Sequence, residues 1–108
     1  MKIAVIGVGG LGGYYGGLLA RTGHEVAFVA RGVHLAALRE KGLQVKSVHG
    51  YFHVAVAIAT DHPSEVGPVD LVLICVKTTG LDDAARAALP MLGPDTAVMG
   101  LQNGIDAV

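Results

Sequence analysis

Only one cysteine, Cys75, stands in the 108 residues, so no internal disulfide can form. That scarcity suits a reducing compartment, and a cytoplasmic setting is expected. Cys75 falls inside an apolar run, where a buried core thiol is the expected state. Long hydrophobic runs are also missing. The longest, residues 54–59 and 71–76, are strand-sized and far short of the roughly 18 residues that cross a bilayer. Neither sign of charge is in excess: eight Lys and Arg face nine Asp and Glu, a formal net charge of -1. Nothing in that balance attracts nucleic acid or an anionic membrane surface, so neither is expected as a partner. The five histidines (His24, His34, His49, His53 and His62) show no metal-ligand spacing, and no metal site is expected. No internal repeat, low-complexity segment or linker interrupts the chain. Its opening, one lysine and then Ile3 to Ile6, gives way to glycines too early for a secretory leader.

What the sequence does have is glycine, 16 in all, and a hydrophobic content of 52 %. The apolar residues come in short continuous blocks, as they do in parallel strands buried on both faces. Strands are expected over residues 2–6, 25–30, 70–76 and 96–101. Helices are expected over 11–22, capped by Gly23, over 33–41, ended by Gly42, and over 81–89, ended by Pro90, Gly93 and Pro94. In the first helix the inward side is read as Tyr15, Leu18, Leu19 and Thr22; in the second, Leu35 and Leu38. Residues 43–48 and 51–59 read as two strands of a hairpin turning at His49-Gly50. Strands alternating with helices imply an α/β domain of Rossmann type. Its sheet is doubly wound and mostly parallel, with helices on both faces, and residues 1–108 form one domain.

Chemistry concentrates where those strands end. Gly7-Val8-Gly9-Gly10-Leu11-Gly12 follows the first strand and opens the first helix, the context a dinucleotide fingerprint requires. Gly7 allows the tight turn, Gly9 lets a pyrophosphate approach the backbone, and Gly12 lets helix and strand pack closely. The helix N-terminus then offers N–H groups to the phosphates. Gly16, one turn on, extends the close-packing edge. At the end of the second strand, where an NAD-specific domain carries a carboxylate for the ribose, this chain has Arg31. A guanidinium there pairs bidentately with a 2′-phosphate and selects NADP(H) over NAD(H). Lys77 and Asn103 each follow a buried strand and are expected at the nicotinamide half of the cofactor. Asp82 and Asp83 are read as complementing a helix dipole.

The glycine loop, Ala30-Arg31-Gly32 with His34-Leu35, Val76-Lys77-Thr78 and Leu101-Gln102-Asn103-Gly104 occur in the order and rough spacing of the ketopantoate reductases, which the chain resembles along nearly its whole length. The resemblance implies NADPH-dependent reduction of the keto group of 2-dehydropantoate to pantoate, a step toward pantothenate and coenzyme A. It implies that residues 7–12 hold the pyrophosphate and that Arg31 holds the 2′-phosphate. Lys77 and Asn103, the implied catalytic pair within this chain, would contact the cofactor and a small 2-keto acid substrate. The family's second, helical domain, with its general-acid lysine, has no counterpart in these residues. The expectation is therefore a cofactor-binding half with little activity alone, pairing with itself or another chain through the face that domain would cover. Two alternatives stand beside this: a reductase of a different 2-keto acid, and a dinucleotide-sensing regulatory domain without catalysis. The latter class tends to carry an acidic residue where Arg31 stands.

Overall fold

The computed structural model describes residues 1–7, 11–47, 50–54, 58–76 and 81–100, of which 11, 12, 45–47 and 81 are described by backbone alone. Its elements run β1 (Lys2–Ile6), α1 (Leu11–Arg21), β2 (Glu25–Val29), α2 (Gly32–Lys41), β3 (Leu43–Ser47), β4 (Gly50–Val54), β5 (Ile58–Thr60), β6 (Leu71–Ile74), α3 (Leu81–Ala88) and β7 (Ala97–Gly100). Single 3₁₀ turns occupy Pro63–Glu65 and Leu89–Met91.

Five strands form one parallel sheet in the order β5-β2-β1-β6-β7. β1 is central, with Ile3, Ala4 and Val5 wholly buried. Because successive strand residues face opposite sides, the sheet feeds two cores. Ala4 and Ile6 join Ala27, Val29, Val72 and Ile74 on one face, closed by Ala84 and Ala88 of α3 and by Met91. Ile3 and Val5 join Val26, Phe28 and Leu73 on the other, closed by Leu38 of α2, by Leu43 and Val54, and by Tyr14, Leu19 and Ala20 of α1. Both faces are covered, as the sequence led one to expect.

Two readings need correction. Residues 51–59 are not one strand. The first part, β4, pairs antiparallel with β3 from Leu43↔Val54 to Ser47↔Gly50, so Gly50 begins a strand instead of forming the turn. The later part, β5, joins the main sheet parallel to β2 from Ala27↔Ile58 to Val29↔Thr60. A run of strand-forming residues conceals the change of pairing partner, because periodicity does not say which strand a residue pairs with. The hairpin lies against α1, where the Arg21 guanidinium sits 4.7 Å from the centroid of the Phe52 ring.

The inward face of α1 is also different. Tyr15 and Thr22 are exposed, while Gly13, Gly16 and Gly17 are buried. The helix packs by its glycine edge: a Cβ on Gly16 would lie 2.6 Å from Cε1 of Phe28 and 3.2 Å from Cγ2 of Val5. An apolarity count scores glycine as nothing, although here glycine marks the closest contact. On β7, the outer strand, Val98 and Met99 are each 52 % exposed.

Candidate functional site

β1, β2 and β6 run parallel and in register, so their carboxyl ends meet at one edge of the sheet. There a cavity of about 460 Å³ opens, within the roughly 300–1,000 Å³ of small-molecule sites. Its floor is apolar: Ile6 from β1, Val29 and Ala30 from β2, Val76 after β6, and Ala84 and Ala87 from α3. Its polar groups stand on three sides. Arg31 and His34 come from the start of α2, Asp61 from the segment after β5, and Asp83 from the first turn of α3.

Gly7 lines the cavity, with φ 90°. Its N–H points to the carbonyl of Val29 at 3.4 Å. A Cβ there would meet the Cys75 carbonyl oxygen at 2.5 Å and Cγ1 of Val76 at 2.9 Å. Both the turn and the space beside β6 thus require glycine. α1 starts at Leu11, immediately beyond the loop, with Gly12 in its first turn. Val8, Gly9 and Gly10 lie outside the described residues.

Arg31 is extended (φ −135°, ψ 160°) and sits at the N-cap of α2 without bonding that helix through its side chain. It is exposed and forms no ion pair with a described residue. The backbone beneath it is fixed: the Ala30 N–H donates to the Thr60 carbonyl at 3.0 Å, and Arg39 Nε donates to the Ala59 carbonyl at 3.0 Å. Thr60, 2 % exposed, ties down the next segment. Its hydroxyl donates to Glu65 Oε2 at 3.0 Å and accepts the His62 N–H at 3.0 Å. That clasp holds Asp61 and Pro63 at the cavity wall.

Lys77 and Asn103 lie outside the described residues. The strands that lead to them are adjacent and in register, with Ile74 opposite Gly100, and each residue follows its strand end by three positions. Cys75 is half-buried, and burial pushes its thiol pKa up, which keeps it protonated and unlike an activated nucleophile. No group of three or more metal-ligating side chains occurs among the described residues. No described helix is long and apolar enough to cross a membrane.

Three wall residues were not assigned to a site from the sequence. His34 entered only among the scattered histidines and within a family resemblance, Asp83 was read as a dipole partner, and Asp61 was not singled out. Their contributions come from the ends of α2, α3 and β5, which meet only after the sheet is wound.

The profile of the ketopantoate reductase PanE/ApbA family matches residues 3–108. A 2-dehydropantoate 2-reductase of Pyrococcus horikoshii is 34 % identical over 105 residues, covering 97 % of this chain and 34 % of the relative. The crystal structure of 2-dehydropantoate 2-reductase from Porphyromonas gingivalis W83 superposes with a TM-score of 0.87 at 40 % identity, covering 99 % of this chain and 40 % of that one. A ternary structure of D-mandelate dehydrogenase with NADH and anilino(oxo)acetate superposes with a TM-score of 0.80 at 30 % identity, covering 96 % of this chain and 34 % of that one. The chain spans about a third of the length of the curated relatives it matches.

Proposed function

Because the chain belongs to the ketopantoate reductase PanE/ApbA family, we propose that it forms the NADPH-binding domain of a 2-dehydropantoate 2-reductase. The observation that carries this reading is the cavity at the strands' carboxyl ends, lined by both Gly7 and the exposed Arg31. A dinucleotide fits the residues present. At Gly7 the missing Cβ lets the backbone turn against the Cys75 carbonyl and Val76, the tight turn with which a dinucleotide fingerprint opens, and residues 7–12 with the α1 N-terminus supply the N–H groups. The apolar floor of Ile6, Val76, Ala84 and Ala87 suits the face of a purine. Arg31, unpaired within the described residues, is free to take the 2′-phosphate in two parallel hydrogen bonds. Lys77 and Asn103 serve the nicotinamide side. Lys77 contacts the cofactor or orients the carboxylate of the 2-keto acid, and Asn103 bonds the ribose and the substrate. When bound, the reduced nicotinamide supplies the hydride that goes to the keto carbon.

Calorimetric titration of NADPH and NADH tests the assignment. The protein is expected to prefer NADPH, and Arg31→Ala to weaken NADPH about tenfold or more while leaving NADH nearly unchanged, as befits loss of a bidentate charged pair. An Arg31→Ala variant that kept its preference would move the 2′-phosphate elsewhere.

The likeness to D-mandelate dehydrogenase, solved with NADH and an oxo acid, supports a second reading: reduction of another 2-keto acid. The same titration separates the cofactors, and turnover of ketopantoate against an aryl 2-keto acid separates the substrates. The exposed Val98 and Met99 of β7 further support pairing of this edge of the sheet with another copy or another chain. Light scattering at high concentration checks this, with association expected; a clean monomer counts against it.

A further inference from the structure

We infer that His34 is a second reader of the 2′-phosphate, acting beside Arg31; this rests on the reading of the cavity as an NADPH site. His34 is the one residue within α2, beyond its Arg31 cap, that reaches the cavity among the described residues. Its helix neighbours have other roles: Leu35 and Leu38 are buried, and Val33 is 82 % exposed and off the wall. With Arg31 at the N-cap, His34 is the third residue of α2, the position that an N-cap side chain reaches in a capping box, and both line the same cavity. His34 is exposed, and its ring forms no hydrogen bond or ion pair with another described residue. It therefore does no evident work for the fold.

The chemistry of the ligand leaves room for it. A phosphate monoester presents three acceptor oxygens, and a bidentate guanidinium engages two of them. An imidazole N–H on the same rim is placed to donate to a third. The distribution of charge agrees. Arg31 is the one cation among the described residues that line the cavity, and it stands on the same element as His34, whereas the carboxylates of Asp61 and Asp83 come from the segment after β5 and from α3. NADH shares every other feature of the ligand, so His34 bears on the choice between the two cofactors and not on dinucleotide binding in general.

Calorimetric titration of NADPH and NADH into wild type, His34→Ala, His34→Gln and Arg31→Ala tests this. His34→Ala is expected to weaken NADPH about three- to tenfold, the range of a partly solvated hydrogen bond to a charged group, and to leave NADH within about twofold. His34→Gln, which keeps an N–H donor, is expected to recover part of the loss. Equal losses for both cofactors, or no loss for NADPH, overturn the inference. If Arg31→Ala abolishes the NADPH preference while His34→Ala leaves it, the inference about His34 falls and the site reading stands. If Arg31→Ala also leaves the preference, both fall. Unchanged thermal unfolding of His34→Ala is expected from its exposure and confirms that the variant is folded.

Discussion

Gly7→Ala is expected to lose about 2–4 kcal/mol of stability and to weaken dinucleotide binding at least tenfold. Two effects combine. At φ 90° any side chain is strained, at roughly 1–2 kcal/mol for a non-glycine residue. The added Cβ would also lie 2.5 Å from a backbone carbonyl, that of Cys75. A flexible side chain can turn away; a carbonyl in line with β6 cannot move without shifting the strand. Gly23 separates the two terms. It has φ 97° but nothing within 4 Å of where a Cβ would stand. Gly23→Ala therefore carries the conformational strain alone and is expected to lose about 1 kcal/mol. Urea unfolding of both variants reads the difference, and equal losses would show that the contact with Cys75 is without consequence. Cofactor affinity should fall only for Gly7→Ala, because only there is the cavity floor displaced.

That glycine was legible in the sequence because everything defining it is local: a strand before, a helix after, and a spacing between. Arg31 was legible for the same reason, since the end of β2 follows from an apolar block and the change of composition after it. β1, β2, β6 and β7 were recognised, each to within two residues at either end, because strands buried on both faces leave continuous apolar runs. Where residues depend on distant partners, the signal fades. Nothing in residues 51–59 marks the point at which the chain leaves the β3 hairpin and pairs instead with β2. The side of α1 that packs was misjudged because Tyr15 counts as apolar and Gly16 does not, whereas contact distance rewards the smaller residue.

The cavity walls teach the same lesson in functional terms. Asp83 does occupy the first turn of α3, so the dipole reading of its position holds, but that turn also lines the cavity that Arg31 lines. One residue can satisfy a local rule and a distant one, and a reading along the chain finds only the first. Thr60 is a similar case. It ends a three-residue strand, and its importance lies in the bonds that hold Asp61 to the wall. Sequence proximity to a glycine motif finds Gly7 and Arg31 on the cavity wall, and misses the wall residues that come from other elements.

Phe28 joins fold and site, and its truncation carries the largest loss of stability. Its ring is 1 % exposed and fills the space between β2 and the glycine edge of α1. Phe28→Ala removes a whole aromatic ring from a core that cannot collapse around a parallel sheet, and about 3–5 kcal/mol should be lost. Gly16→Ala strikes the same contact from the other side. Alanine gains roughly 1 kcal/mol of helix propensity over glycine, but its Cβ would stand 2.6 Å from Cε1 of the ring, and overpacking of this kind loses about 1–3 kcal/mol. The net change should be destabilising while Phe28 is present. With Phe28→Leu, which withdraws the far atoms of the ring, the methyl at Gly16 finds room and the propensity gain remains. Gly16→Ala is thus expected to change sign, destabilising wild type and stabilising Phe28→Leu, with a coupling of about 1–2 kcal/mol, within the range of residues in contact. Urea unfolding of the four proteins measures it. Additive losses would mean that α1 is set by something other than its glycine edge against Phe28, and that the loop at its N-terminus owes its position to another contact.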